Sequence, residues 1–157
     1  MTAARRTAIV FLLALSVCRP VGAVEPNAYR GPLFRHRTVQ AAWATAVAQR
    51  RPLVVMFTTD HCGYCTKMLQ ETYSDPRVER LLLGNAVTVL AHTRDYAELA
   101  QKLGVQGFPT SLVVSPAGDV LEVAPGYVDA RQFLTRLAPA ITANHRAAQA
   151  AYQSAER

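Results

Sequence analysis

Acidic residues are scarce here, 11 against 17 Lys and Arg in 157 residues, for a formal net charge of +6. Cysteine is scarcer, at three, too few for a disulfide-dense scaffold or a four-cysteine zinc site. Glycine and proline, 8 and 9, are too sparse for a collagen-like or linker composition. Charged residues make up only 18% of the chain and apolar ones 50%, which excludes a disordered protein. No apolar run reaches the roughly 20 residues that span a bilayer. No basic stripe with interleaved aromatics is present, so there is no case for nucleic-acid binding. What remains is a chain of one-domain length with enough apolar surface for a core.

Residues 1–23 have the layout of a secretory signal peptide: Arg5 and Arg6, an apolar run from Ala8 to Cys18, then Val21-Gly22-Ala23 as a cleavage site. Three variants stay open: an uncleaved N-terminal anchor, twin-arginine export through Arg5-Arg6, and lipidation at Cys18. Ala4 before the arginine pair argues against the second. The bulk of Val17 argues against the third. Cleavage removes Arg5, Arg6 and Arg19 and no acid, so the net charge falls from +6 to +3. The expected product is exported, to a bacterial periplasm or outside the cell, and monomeric.

Residues 24–37 show no period and contain Pro26 and Pro32, as an arm would. From Thr38 to Arg50 the apolar residues Val39, Ala42, Trp43, Ala46 and Val47 have helical spacing, with Thr38 as cap and Pro52 as stop. Leu53 to Phe57 is a continuous apolar run, which predicts a buried central strand. A helix starts near Cys62. Ser74-Asp75-Pro76 starts another, turning Val78, Leu81 and Leu82 inward and stopping at Gly84. Ala86 to Ala91 predicts a strand, Asp95 to Leu103 a helix closed by Gly104. Thr110–Val114 and Val120–Val123 form an antiparallel hairpin across Pro116-Ala117-Gly118-Asp119. Asp129 to Ile141 is a helix. The alanine-rich tail, 142–157, extends that helix or frays. This order predicts an α/β domain over 38–141, a mixed sheet with helices on both faces.

The chemistry concentrates in Asp60-His61-Cys62-Gly63-Tyr64-Cys65, where a buried strand passes into a helix. Two cysteines one helical turn apart close a loop too short to stabilise a fold by chain entropy, so redox use is the favoured reading. Cys62 lies at the helix N-terminus, where free N–H groups and the dipole favour a thiolate. Cys65, one turn in, is shielded and acts second. Gly107-Phe108-Pro109-Thr110 precedes the hairpin. A proline entering a strand there predicts a cis Phe108–Pro109 bond, which leaves a backbone edge free beside Cys62.

Cys62-Gly63-Tyr64-Cys65 after the Phe57 strand, Gly107-Phe108-Pro109-Thr110, and Gly126 near the final helix together resemble the thioredoxin superfamily, over roughly residues 38–140. The Ser74-Asp75-Pro76-x-Val78 stretch is most similar to exported thioredoxin-like domains, such as the C-terminal domain of the Dsb-type transmembrane reductant conductor. The Gly-Tyr dipeptide also occurs in periplasmic disulfide isomerases. The resemblance implies a thioredoxin fold, thiol–disulfide exchange on protein substrates, and no bound cofactor beyond the Cys62–Cys65 disulfide. Two departures stand out. Thioredoxins carry a buried acid six residues before the first cysteine, where this chain has Met56. They usually carry tryptophan just before that cysteine, where this chain has His61. Losing the acid removes a proton acceptor for Cys65, and a charged His61 favours the Cys62 thiolate. Together they predict a couple more oxidising than thioredoxin's.

The alternatives are a structural cysteine pair, a redox-dead binding module, or a Cu(I) site built from Cys62 and Cys65 with Met68 or His61. Tyr64 and Phe108 are either substrate contacts or packing residues. Trp43 reads as core, Lys67 as solvated, and His36, His92 and His145 as scattered surface or core residues. Electron flow in an oxidising compartment requires a partner, either a membrane thiol donor or a reoxidising protein.

Overall fold

The run Leu53–Phe57 is apolar on both sides of its pleat, and such a strand belongs in the middle of a sheet. In the computed structural model, which describes residues 29–155, it is the buried strand β1 (Leu53–Thr58). It pairs in parallel with β2 (Val87–His92) and antiparallel with β3 (Thr110–Val114). β3 then pairs antiparallel with β4 (Val120–Pro125), giving a mixed four-stranded sheet in the order β2-β1-β3-β4. Successive β1 side chains point to opposite faces. Leu53, Val55 and Phe57 enter one core and Val54 and Met56 the other.

Helices cover both faces. α1 (Val39–Gln49) and α4 (Thr93–Lys102) pack on the first. The second carries α2 (Gly63–Lys67), a wide π-type turn over Met68–Thr72, α3 (Pro76–Asn85), α5 (Ala130–Arg136) and α6 (Ala138–Ala155). Among the described residues no helix is long and apolar enough to cross a membrane. The expected signal peptide, its cleavage site and Cys18 lie outside the described residues.

Caps explain most helix starts. Thr38, Asp75 and Asp129 accept backbone N–H bonds from Ala41, Arg77 and Gln132, and Gln132 completes a capping box. The ends and some faces depart from expectation. Gly84 does not stop α3. The helix runs to Asn85 and ends as Ala86 turns extended, while the Arg51 guanidinium donates to the carbonyls of Leu82 (3.3 Å) and Leu83 (2.6 Å). A side chain from a distant loop thus supplies the C-terminal partners that glycine geometry was expected to supply. α4 begins two residues before Asp95, capped by His92, and loses helical geometry at Tyr96. The helix expected over Asp129–Ile141 is two helices. Leu137 separates them, and Pro139 in the first turn of α6 has no N–H to continue the ladder. α6 then carries the tail in helical form to Ala155. On α1, Ala42 and Ala46 are fully buried, Trp43 is half-buried, and Val47 is 44% exposed, so the core stripe is narrower than the apolar spacing.

The aperiodic arm is part of the packing. Tyr29 and Leu33 are buried. The Tyr29 hydroxyl donates to Glu79 Oε1 at 2.6 Å and accepts from the Leu33 N–H. The backbone must pass close here, because a Cβ on Gly31 would overlap the Tyr29 phenol and the Glu79 carboxylate. Phe34 stacks edge-on between Tyr29 and Tyr73, and Tyr73 edge-on against Phe133, so four rings run from the arm to α5. The Phe34 N–H donates to Thr88 Oγ1, and His36 bridges in parallel to Val89 on the outer edge of β2.

Candidate active site

β1 ends beside β2 and β3, and the loop from Thr59 to Cys62 leaves from that corner. Thr93 and Thr59 hydroxyls bond at 2.9 Å. Asp60 Oδ1 accepts from Arg94 at 2.6 Å and lies 3.4 Å from His92 Nε2. The start of α4 thus holds the loop that presents the cysteines. His61 is exposed and sits at φ 55°, a left-handed conformation uncommon outside glycine.

Cys62 is the N-cap of α2. Its Sγ accepts from the Cys65 N–H at 3.1 Å, and its carbonyl accepts from Cys65 and Thr66. The two sulfurs are joined as a disulfide, with Cα atoms 5.2 Å apart. The cysteines are unequal. Cys65 is 2% exposed and packs in the core, while Cys62 is half-buried at the rim. Gly63 faces open space, and Tyr64 is 64% exposed.

Beneath α2, Met56 is fully buried, flanked in register by Leu90 on β2 and Ser111 on β3. Polarity on this face comes from the next strand instead. The Ser111 and Tyr73 hydroxyls share a 2.8 Å bond in the core, and burial raises the Tyr73 phenol well above its ordinary value. Met68, weighed as a soft ligand, is fully buried among apolar residues. No group of three or more His, Cys, Asp or Glu placed to hold a metal ion is present among the described residues.

The Phe108–Pro109 bond is cis. Thr110 pairs with Phe57 at the end of β1, which brings this loop alongside the cysteine loop. The Thr110 hydroxyl donates to the Gly107 carbonyl at 2.7 Å, and Phe108 packs against both cores. The Pro109 carbonyl accepts from the Gly126 N–H at 2.8 Å, so a third loop, 126–128, joins the site. Tyr127 lies in it. Its ring is 6.2 Å from that of Tyr64, its hydroxyl donates to Glu71 Oε2 at 2.8 Å, and Lys67 Nζ stands 4.8 Å from its centroid. The bond to Glu71 raises the phenol above its ordinary value. One residue on, the Val128 carbonyl accepts from the Thr72 hydroxyl at 2.6 Å.

Every expected site residue therefore lies in one of two segments, 61–65 across the start of α2 and 108–110 entering β3, that the β1–β3 pairing brings together. Lys67, expected to be solvated, is exposed but pairs with Glu71 at 3.8 Å. Sequence reasoning missed Tyr127 and Arg94, and it named Asp60 within the cysteine segment without giving it a role. Tyr127 was within reach, since it follows Gly126. The Asp60–Arg94 pair becomes visible only once β1 and β2 are in register.

A model of the thioredoxin-like domain family matches residues 39–141. The chain belongs to this family. It is a thioredoxin-like oxidoreductase with a Cys62–Cys65 disulfide pair. It is 34% identical over 104 residues to the thiol:disulfide interchange protein DsbD of Yersinia pestis (strain Pestoides F), covering 62% of this chain and 18% of that protein. This chain thus corresponds to less than a fifth of that relative's length. Among solved structures, a thioredoxin from Thermus thermophilus is 32% identical with a TM-score of 0.57, over 62% of this chain and 78% of that one. The oxidised C-terminal domain of Neisseria meningitidis DsbD is 25% identical with a TM-score of 0.54, over 66% and 94%.

Proposed function

We propose that this chain is an exported protein disulfide reductase, kept reduced by a membrane thiol donor. The observation that carries the reading is the inequality of the two cysteines: Cys62 at the rim, capping α2, and Cys65 buried one turn below it. In the reduced protein the Cys62 thiolate attacks one sulfur of a substrate disulfide, and the substrate's other sulfur leaves as a thiolate and takes up a proton. Cys65, once deprotonated, attacks Cys62 Sγ, closes the Cys62–Cys65 bond and releases the second substrate thiol. Two electrons pass to the substrate, and a donor dithiol returns them. The Cys65 N–H aimed at Cys62 Sγ stabilises the attacking thiolate. The Pro109 carbonyl is taken by Gly126, so Phe108, just before the cis bond, is the residue that offers backbone to a bound segment, with Gly63 and Tyr64 on the opposite wall. The disulfide itself is the redox group, and no other cofactor is invoked. Export rests on the leader-like residues 1–23.

An oxidase or isomerase reading on the same fold is favoured by Met56, which puts no carboxylate behind Cys65. His61 beside Cys62 adds to it. The reduction potential of the Cys62–Cys65 couple, from equilibration with glutathione buffers, separates the two. A value near about −270 mV supports the reductase, and one between about −120 and −180 mV supports the oxidase. Failure to form the intramolecular disulfide at any poise sinks both and favours copper or another adduct. Cys65→Ser is expected to hold a mixed disulfide with its substrate, and Cys62→Ser to abolish exchange.

A further inference from the structure

Two tyrosines stand at the disulfide helix, and neither is fully buried. Tyr64, between the cysteines, is 64% exposed and so contributes little to the core. Tyr127 comes from the third loop, and its ring is held on three sides: by the Glu71 carboxylate on its hydroxyl, by the Lys67 ammonium near its face, and by the Tyr64 ring. The backbone before it is tied to the Pro109 carbonyl through Gly126. A ring so fixed offers contact area with little rotamer freedom to lose on binding. Lys67 and Glu71 pair with each other, and the Asp129 carboxylate is the other charge felt by the Tyr127 hydroxyl, so the shelf offers no net cation and favours an uncharged side chain over an anionic one.

We infer that Tyr127, with Tyr64, is a specificity-determining shelf that takes an aromatic or large aliphatic side chain flanking the substrate's cysteine. The inference rests on the exchange reaction proposed above. Its test mixes pre-reduced protein with two peptide disulfides that differ only in the residue beside the cysteine, Phe in one and Ser in the other. The second-order rate is read for each. The expected preference for the Phe peptide is on the order of five- to tenfold. Tyr127→Ala and Tyr64→Ala are each expected to bring the ratio to within about twofold of unity, while Tyr127→Phe keeps most of it. An unbiased wild-type protein, or alanine variants that keep the full preference, would overturn the inference. A third peptide with Glu at that place, if it reacted faster than the Phe peptide, would assign the shelf to Lys67 and overturn it too. Reduction of the small aromatic disulfide DTNB separates the two levels: wild-type protein inert toward it sinks the exchange reaction itself, not the shelf alone. Tyr64→Ala alters an exposed side chain and keeps the test decisive should Tyr127→Ala fail to fold.

Discussion

The two faces of the sheet are built differently. The core under α1 and α4 is almost wholly aliphatic: Val55, Val89, Leu112 and the alanines of α1, with Phe57 as its largest buried side chain. The core under the disulfide helix holds rings and hydroxyls. Tyr73 bonds Ser111, Thr72 bonds Val128, and Tyr29 bonds Glu79. An aliphatic face is held by area alone and tolerates small shifts. A face that must keep two sulfurs beside a proline loop uses directional bonds, which fix register as well as add stability.

That contrast is breakable at several strengths. Phe133→Ala under the disulfide helix and Phe57→Ala on the opposite face are each expected to lose about 3–5 kcal/mol in urea unfolding, since both rings are fully buried. A loss under about 2 kcal/mol at Phe133 would mean the ring chain is loosely packed. Tyr73→Phe leaves Ser111 without its partner and should cost about 1–3 kcal/mol. The double variant with Ser111→Ala should recover part of that, because removing both partners avoids the unpaired buried group. If the single and double variants are equally unstable, the hydroxyl pair is not what organises this face. Asp75→Ala removes the α3 cap and should cost about 1 kcal/mol. Arg77 holds the Asp75 carboxyl down to about 2, from an ordinary 3.8. A depressed carboxyl contributes stability above its unfolded value and loses it as pH falls, so Asp75→Asn should flatten acid unfolding between about pH 4 and 2. Val47→Thr, on the exposed side of α1, should stay within about 0.5 kcal/mol.

Much of this was legible in the chain itself. β1 announces itself because a strand buried on both faces must be apolar throughout. Cys62 and Cys65 announce themselves because a one-turn disulfide has little structural use. What escaped is what depends on partners distant in sequence. Gly84 carries a stop signal, yet Arg51, reaching from before β1, supplies the helix end. Residues 29–36 have no period because Tyr29, Leu33 and Phe34 pack at irregular intervals while Arg30, Gly31 and Arg35 stay exposed. The wide turn at Met68–Thr72 has no local signature, and Tyr127 gains its place only through the Gly126–Pro109 bond.

The helix carrying the disulfide is fastened at both ends of its run. Its near end bears the sulfurs. Its far end, widened into a π turn, hands the Thr72 hydroxyl to Val128, two residues beyond the glycine that holds the Pro109 carbonyl. Helix and loop therefore form a closed linkage, like the bars of a hinged frame, in which no corner moves without the others. Opening the proline loop to admit a bulky segment must strain the helix base as well. The amides of Gly126 and Cys65 should then exchange with solvent as a single unit.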